Sequence, residues 1–185
     1  MSGSLRVIAG RHGGRRLVAP RGSTTRPTAA RVREALFSIL TDVSNANVLD
    51  LYAGTGALAL EALSRGAARA LLVEHDRAAL EAIRTNVAAL ELGEVAEVVP
   101  LRLPRALSTV LERGPFGLVL CDPPWADREA AELVLARLAA EGGLAPGARV
   151  VLEHAARDAD PTVVGLIADD RRTWGDTAVT LFRAP

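Results

Sequence analysis

Apolar residues along this chain fall into two kinds of run. Val48 to Leu51, Ala70 to Val73, Val95 to Pro100 and Phe116 to Cys121 are short and continuous, the pattern of strands covered on both faces. Between them, Ala- and Leu-rich stretches carry helical spacing: one from the glycines after Ala53 to about Arg65, then about Arg77 to Leu90, Ala106 to Arg113, and about Arg128 to Ala140. Asp76 stands where a helix needs a cap, and Gly66 where one should stop. An earlier helix, capped by Thr28 and running through about Leu40, has an apolar stripe of Val32, Leu36, Ile39 and Leu40, with Phe37 at its edge. Pro146-Gly147 turns the chain into a strand at Arg149 to Glu153. Pro161 to Ala168 reads equally as strand or short helix, and Arg171 to Trp174 with Thr177 to Phe182 predicts a terminal hairpin around Gly175-Asp176. Strand and helix alternate, which predicts an α/β fold with a mostly parallel sheet.

Ahead of this alternation, Leu5 to Ala9 and Arg15 to Ala19 are β-prone runs joined by Gly10 to Gly14, a hairpin signal. A turn-rich connector follows from Pro20 to Pro27. The expected organisation is a basic hairpin extension and connector over residues 1–27 and one main domain over 28–185. A chain of 185 residues suits one good core rather than two.

Charge sharpens that division. The formal net charge is zero, yet residues 1–33 hold eight Arg and no acid, so the remainder carries −8. All 22 basic residues are Arg, which a coding bias explains; the missing acids at the start it does not. Segregation on this scale predicts a polyanion partner, and Arg6, Arg11, Arg15, Arg16, Arg26, Thr28, Arg31 and Arg33 are the candidate contacts. Cys121 stands alone, so no internal disulfide forms. No signal peptide, membrane-length apolar run or metal-ligand spacing is apparent, and a cytoplasmic protein without membrane or metal is expected.

Candidate chemistry gathers at strand ends, where ligands of open α/β sheets sit. Gly54-x-Gly56-x-x-Ala59 after the first strand fits a nucleotide-type cofactor loop, and by itself also an ordinary strand-to-helix turn. Asp50, an acid inside the apolar strand, needs partners; it either orients the glycine loop or holds a cation of the ligand through water. Glu74, closing the second strand, is placed to accept from both hydroxyls of a ribose, implying an adenosine. Asp122-Pro123-Pro124-Trp125 closes the fourth. Two prolines withhold N–H groups and leave carbonyls free. An aromatic amine whose two hydrogens are accepted by the Asp122 carboxylate and the Pro123 carbonyl regains its lone pair as a nucleophile. Trp125 would stack the base, an interaction worth on the order of 1–3 kcal/mol.

These motifs, Leu-Asp-Leu-Tyr-Ala-Gly-Thr-Gly and Asp-Pro-Pro-Trp, resemble class I S-adenosylmethionine-dependent amino-methyltransferases. Arg6 to Gly10, Arg26-Pro27-Thr28 and Arg33 to Phe37 are similar to the RsmD family, across nearly the whole chain and least at about Ala155 to Asp170. The resemblance implies a Rossmann-like, seven-stranded sheet with a reversed terminal hairpin. It implies methyl transfer from S-adenosylmethionine to the N2 amine of one guanine in bacterial 16S ribosomal RNA; the RNA is expected free or within a partly or fully assembled small subunit, and the protein is expected to be a monomer. Asp50, Tyr52, Ala53, Gly54, Thr55, Gly56, Glu74 and His75 would then hold the cofactor, and Asp122 to Trp125 the guanine.

The chain departs from that pattern after the third strand, where an acid usually accepts from the adenine amine and Leu101-Arg102-Leu103-Pro104 stands instead. Backbone groups of Arg102 and Leu103 would hold adenine, or hold it more weakly. Asp-Pro-Pro-aromatic alone also suits adenine N6 or cytosine N4 in DNA or another RNA. A nicotinamide-dependent oxidoreductase would share the glycine turn but leave Asp122 to Trp125 without a role. A non-catalytic RNA-binding protein is opposed by intact Asp122 and Glu74.

Overall fold

Period-two alternation in short apolar strands gives each strand a side chain for both faces of a sheet. A computed structural model describes residues 5–20 and 27–185, the side chains of 27–29 excepted. Its order is α1 (Pro27–Leu40), β1 (Asn47–Leu51), α2 (Ala57–Ser64), β2 (Arg69–Val73), α3 (Arg77–Ala89), β3 (Ala96–Val99), α4 (Leu107–Arg113) and β4 (Phe116–Cys121). A 3-10 turn (Trp125–Asp127), α5 (Arg128–Ala140), β5 (Leu144–Ala155), β6 (Ile167–Trp174) and β7 (Thr177–Arg183) complete it. One seven-stranded sheet runs β3-β2-β1-β4-β5-β7-β6. All pairings from β3 to β5 are parallel, and β7 lies antiparallel to both β5 and β6. The fold is a Rossmann-like α/β architecture with a reversed terminal hairpin. Strand order reverses between β1 and β4, which opens a crevice at their carboxyl ends.

Each face carries its own core. Val48, Leu72, Leu118, Leu120 and Val179 pack under α1, α2 and α3 with Leu36, Phe37, Leu60, Leu63 and Ile83. Leu49, Leu51, Val119, Val150 and Phe182 pack under α4 and α5 with Val110, Leu135 and Leu138. Phe37, expected at a stripe edge, is 1% exposed.

Several boundaries differ from expectation for visible reasons. Pro27 begins α1, one residue before Thr28, because proline's missing N–H costs nothing at a first helical position. β5 starts at Leu144, so Pro146-Gly147 lies inside a strand; the pairing with β4 jumps there, from Phe116–Leu144 to Leu118–Arg149, and the irregularity absorbs the turn. β6 extends back to Ile167, leaving most of Pro161 to Ala168 irregular.

The N-terminal hairpin forms around one antiparallel bridge between Arg6 and Arg16, with Val7 N donating to the Arg15 carbonyl, Gly14 N to the Val7 carbonyl and Leu17 N to the Leu5 carbonyl, each at 2.9 Å. Its other backbone groups reach the main domain. Ile8 and Ala9 donate to the Glu61 carboxylate at 2.6 and 3.1 Å, Arg11 to the Ser64 carbonyl at 2.8 Å, and Val18 to Asn86 Oδ1 at 2.6 Å. A Cβ on Gly10 would lie 2.0 Å from the Ser64 carbonyl oxygen, so only glycine lets the segment approach α2 this closely.

Candidate active site

The turn after β1 is built from unusual backbone. Tyr52, Gly54 and Gly56 all have positive φ, at 61°, 56° and 75°. For Tyr52 this is uncommon and costs energy, the kind of strain that concentrates at functional sites. Glu74 compensates. Its Oε2 accepts from Gly54 N at 2.8 Å, and its Oε1 accepts from His75 and Asp76 N at 2.6 and 2.8 Å. One carboxylate thus joins the end of β2 to the glycine turn. Asp76 caps α3, accepting from Ala79 N at 2.9 Å.

Alternation puts Asp50 on the α2 side of β1. It is 1% exposed; Oδ2 accepts from Ala59 N at 3.0 Å, and Oδ1 has no partner among the described residues. Burial pushes its carboxyl up to about 8; the nearby acids Asp122 and Glu74 add to the shift, and the Ala59 N–H opposes it. Burial thus favours the protonated carboxyl, and Oδ1 is an unused polar atom beneath the turn.

β4 delivers Asp122 to the surface, Pro123 to the interior and Trp125 to a half-exposed position. The Pro124 carbonyl accepts from Asp127 N at 2.7 Å, whereas no group among the described residues donates to the Pro123 carbonyl. The Arg157 guanidinium lies 5.6 Å from the Trp125 ring centre. Burial first, then Cys121 and Asp127, push the Tyr52 phenol up to about 12, against a smaller opposing pull from Arg102.

These groups meet in a cavity of about 780 Å³ whose lining includes Tyr52, Gly54, Glu74, His75 and Asp122 to Trp125. Glu153, Asp176 and Asp76 complete an acidic wall, five carboxylates with only His75, among the described residues, able to carry positive charge. Such a field favours a cationic ligand, and it opposes the pyrophosphate of a nicotinamide dinucleotide. Above Gly54 the nearest atom a Cβ would meet is Tyr52 O at 3.9 Å, leaving room for a ligand against the turn. A side cleft of about 90 Å³ shares Tyr52, Glu74 and His75 and reaches Arg102 and Leu103. Ala53 and Thr55 line an adjoining recess of about 200 Å³ with Arg33, which shares Tyr52, Gly54, Asp122 and Glu153 with the main cavity. Gly56 is buried instead, and a Cβ there would lie 3.0 Å from Leu72 and 3.5 Å from Ile83, so it serves close packing under the turn.

A family model described as conserved hypothetical protein 95 matches residues 5–183. The chain is 42% identical over 88% of its length to the Escherichia coli (strain K12) protein named ribosomal RNA small subunit methyltransferase D, 80% of which is covered. The chain belongs to the RsmD family. Within it, the Bacillus subtilis protein YlbH is 33% identical over 97% of this chain and 98% of its own. The solved structure of the Escherichia coli protein yhhF superposes with a TM-score of 0.84 at 38% identity, covering 98% of both chains. As a member of the RsmD family the protein is a methyltransferase, and the fold places its motifs accordingly.

The candidate substrate arginines do not form one patch with the cavity. Arg6, Arg11, Arg15, Arg16 and Arg31 are exposed and outside its lining, and Arg15 Nη2 also donates to the Ala89 carbonyl at 2.6 Å. Arg33, expected as an RNA contact, is 6% exposed. Its Nη2 donates to the Arg6 carbonyl at 2.6 Å and its Nε lies 4.0 Å from Glu61, so it fastens the arm to the domain. Arg26 and the Thr28 side chain lie outside the described residues.

The motifs do not announce four other residues. Glu61 is fully buried, pairs with Arg65 at 2.7 Å and holds the arm; nothing in an amphipathic helix marks it beyond an acid at an apolar position. Asn86 donates to the carbonyls of Val18 and Thr55 at 2.9 and 3.0 Å, clipping the arm to the glycine turn. Glu153 follows the apolar run Val150 to Leu152, the same signal that marks Glu74. Asp127 enters the side cleft from beyond β4.

Proposed function

We propose that this protein transfers a methyl group from S-adenosylmethionine to the exocyclic N2 amine of a guanine in small-subunit ribosomal RNA. The observation that carries the reading is the convergence of Gly54, Glu74 and the Asp122 to Trp125 segment on one carboxylate-lined cavity. The cofactor, when bound, supplies the methyl group of a sulfonium, and both its sulfonium and its ammonium suit that acidic lining. Glu74, already the organiser of the turn, would take the ribose hydroxyls, and Asp50 would sit below the turn with its unpartnered Oδ1 toward a bridging water. Trp125 would stack the guanine. Asp122 and the unused Pro123 carbonyl would accept the two amine hydrogens, drawing the nitrogen toward a tetrahedral shape; the proton lost on methylation passes to Asp122. The exposed arginines of residues 1–31 would meet the phosphates around the target. We place this activity in the cytoplasm, on free RNA or a small-subunit particle, in a monomer; among the described residues no helix is long and apolar enough to cross a membrane.

Incubation with methyl-labelled S-adenosylmethionine and either small-subunit RNA, small-subunit particles or duplex DNA tests the reading. Label should enter RNA or particles; label in DNA alone would replace the acceptor, and binding of a nicotinamide dinucleotide in place of S-adenosylmethionine would replace the reaction.

A further inference from the structure

The side cleft raises a question about recognition. A ribose held at Glu74 directs its base into this cleft, because Tyr52, Glu74 and His75 line both it and the main cavity. Adenine carries one exocyclic amine, and a buried donor without an acceptor weakens binding. The loop after β3, which forms one wall, offers Leu101, Arg102 and Leu103 and no carboxylate. Glu74 accepts from three backbone N–H groups, and its remaining acceptor capacity is assigned to the ribose.

Asp127 is the remaining acid of the cleft. It precedes α5, where an Asp ordinarily accepts from the first helical turn and stabilises the helix. Here it makes no such bond. Among the described residues no hydrogen bond or ion pair reaches its carboxylate, although its backbone N–H is held by the Pro124 carbonyl at 2.7 Å. Its placement is thus fixed, its capping role is given up, and an acceptor-only group is left at a ligand cleft.

We propose that Asp127 accepts a hydrogen bond from the 6-amino group of the cofactor's adenine, so that β4's extension performs a task for which the β3 loop has no acid. This rests on S-adenosylmethionine being the cofactor. It also ties two functions to one short segment: Asp122 to Trp125 hold the acceptor base and Asp127, two residues on, reads the donor.

Calorimetry with S-adenosylhomocysteine and its analogue lacking the purine 6-amino group tests the assignment. Wild type should prefer the amino form by at least about tenfold, as expected for a hydrogen bond to a charged acceptor. Asp127→Ala should bind both ligands alike, at the weaker affinity. Asp127→Asn, which keeps an acceptor oxygen, should retain a reduced preference. Equal binding by wild type, or an undiminished preference in Asp127→Ala, would overturn the role of Asp127 and leave the cofactor intact. Failure of wild type to bind S-adenosylhomocysteine at all would instead overturn the cofactor reading itself.

Discussion

Glu74 and Glu61 are both buried, and both gather backbone N–H groups from a distant segment, yet they build opposite regions. Glu74 collects Gly54, His75 and Asp76 and shapes an acidic cavity. Glu61 collects Ile8 and Ala9 and mounts an arm whose exposed side chains are basic. Burying a carboxylate is costly unless it is paired and hydrogen-bonded, and each is satisfied in a different way. Glu61 has Arg65 at 2.7 Å and Arg33 at 4.0 Å, whereas Glu74 relies on peptide dipoles and the adjacent, half-exposed His75 at 3.5 Å. Neutralised by arginine, the first is a structural rivet. The second lines a cavity whose described lining holds no arginine, which suits a cationic ligand. The glycine turn thus borders a carboxylate-lined cavity while the arm presents exposed arginines, with Asn86 bonded to both segments.

Substitutions should separate the two regions. Asp122→Ala should have the largest effect, lowering single-turnover methyl transfer by roughly 10²–10⁴-fold while calorimetry finds S-adenosylhomocysteine affinity within a few-fold; a normal rate would remove amine activation from Asp122. Glu61→Ala leaves two arm N–H groups and two guanidiniums without their partner, and should cost about 3–5 kcal/mol in denaturant unfolding. A loss below about 1 kcal/mol would mean the arm is not riveted there. Glu74→Ala should raise the cofactor dissociation constant by roughly tenfold or more; unchanged calorimetry would sink the ribose assignment. Replacing Arg11 and Arg16 together with Ala should weaken RNA binding and flatten its salt dependence, by about 0.7 in slope for each phosphate no longer neutralised, with cofactor affinity unchanged. An equal slope would show those arginines to be merely solvated.

The smallest effect expected lies outside both regions. His154 is buried at the β5–β7 pairing. Its Nδ1 must donate to the Ala155 carbonyl at 3.1 Å, leaving Nε2 to accept from the Thr180 hydroxyl at 2.9 Å. Burial, and secondarily Arg171 and Arg128, hold its pKa below 6.5 against the opposing Ala155 contact. The unfolded chain then binds a proton that the native state refuses. Stability is complete above pH 6.5 and declines below it, by at most about 1.4 kcal/mol per pH unit from this group. A His154→Gln variant should lose that portion of the decline in thermal melts between pH 6.5 and 5; an identical decline would assign it elsewhere.

Much of the molecule is legible in its residues, and unevenly so. Phe116 to Cys121 and Arg128 to Ala140 read correctly because a doubly covered strand and a helix of that length carry strong period signals. Glu74 and Asp122 are legible for another reason: each is a polar residue closing an apolar run, and the topology puts all such ends on one side of the sheet. Strand β5 reads too short because Pro146-Gly147 looks like a turn, and a turn signal is local while the pairing that overrides it is not. The N-terminal runs read as a hairpin and pair as one about the Arg6–Arg16 bridge, but residue types do not show that Glu61, Ser64 and Asn86 will take the backbone groups that face away from that pairing. Arg33 misleads in the same way: an arginine among arginines looks like surface until its buried partner is known. Asp127 is hidden because the expected place for an acceptor is the β3 loop, and spatial convergence from another strand's extension leaves no mark in spacing.

The most direct test digests small-subunit ribosomal RNA to nucleosides after reaction with labelled S-adenosylmethionine and identifies the labelled species by mass spectrometry. We expect N2-methylguanosine as the labelled product with the native protein and no labelled nucleoside with Asp122→Ala. Label in N6-methyladenosine or N4-methylcytidine, or undiminished N2-methylguanosine from the variant, would contradict the account of the Asp122 to Trp125 site.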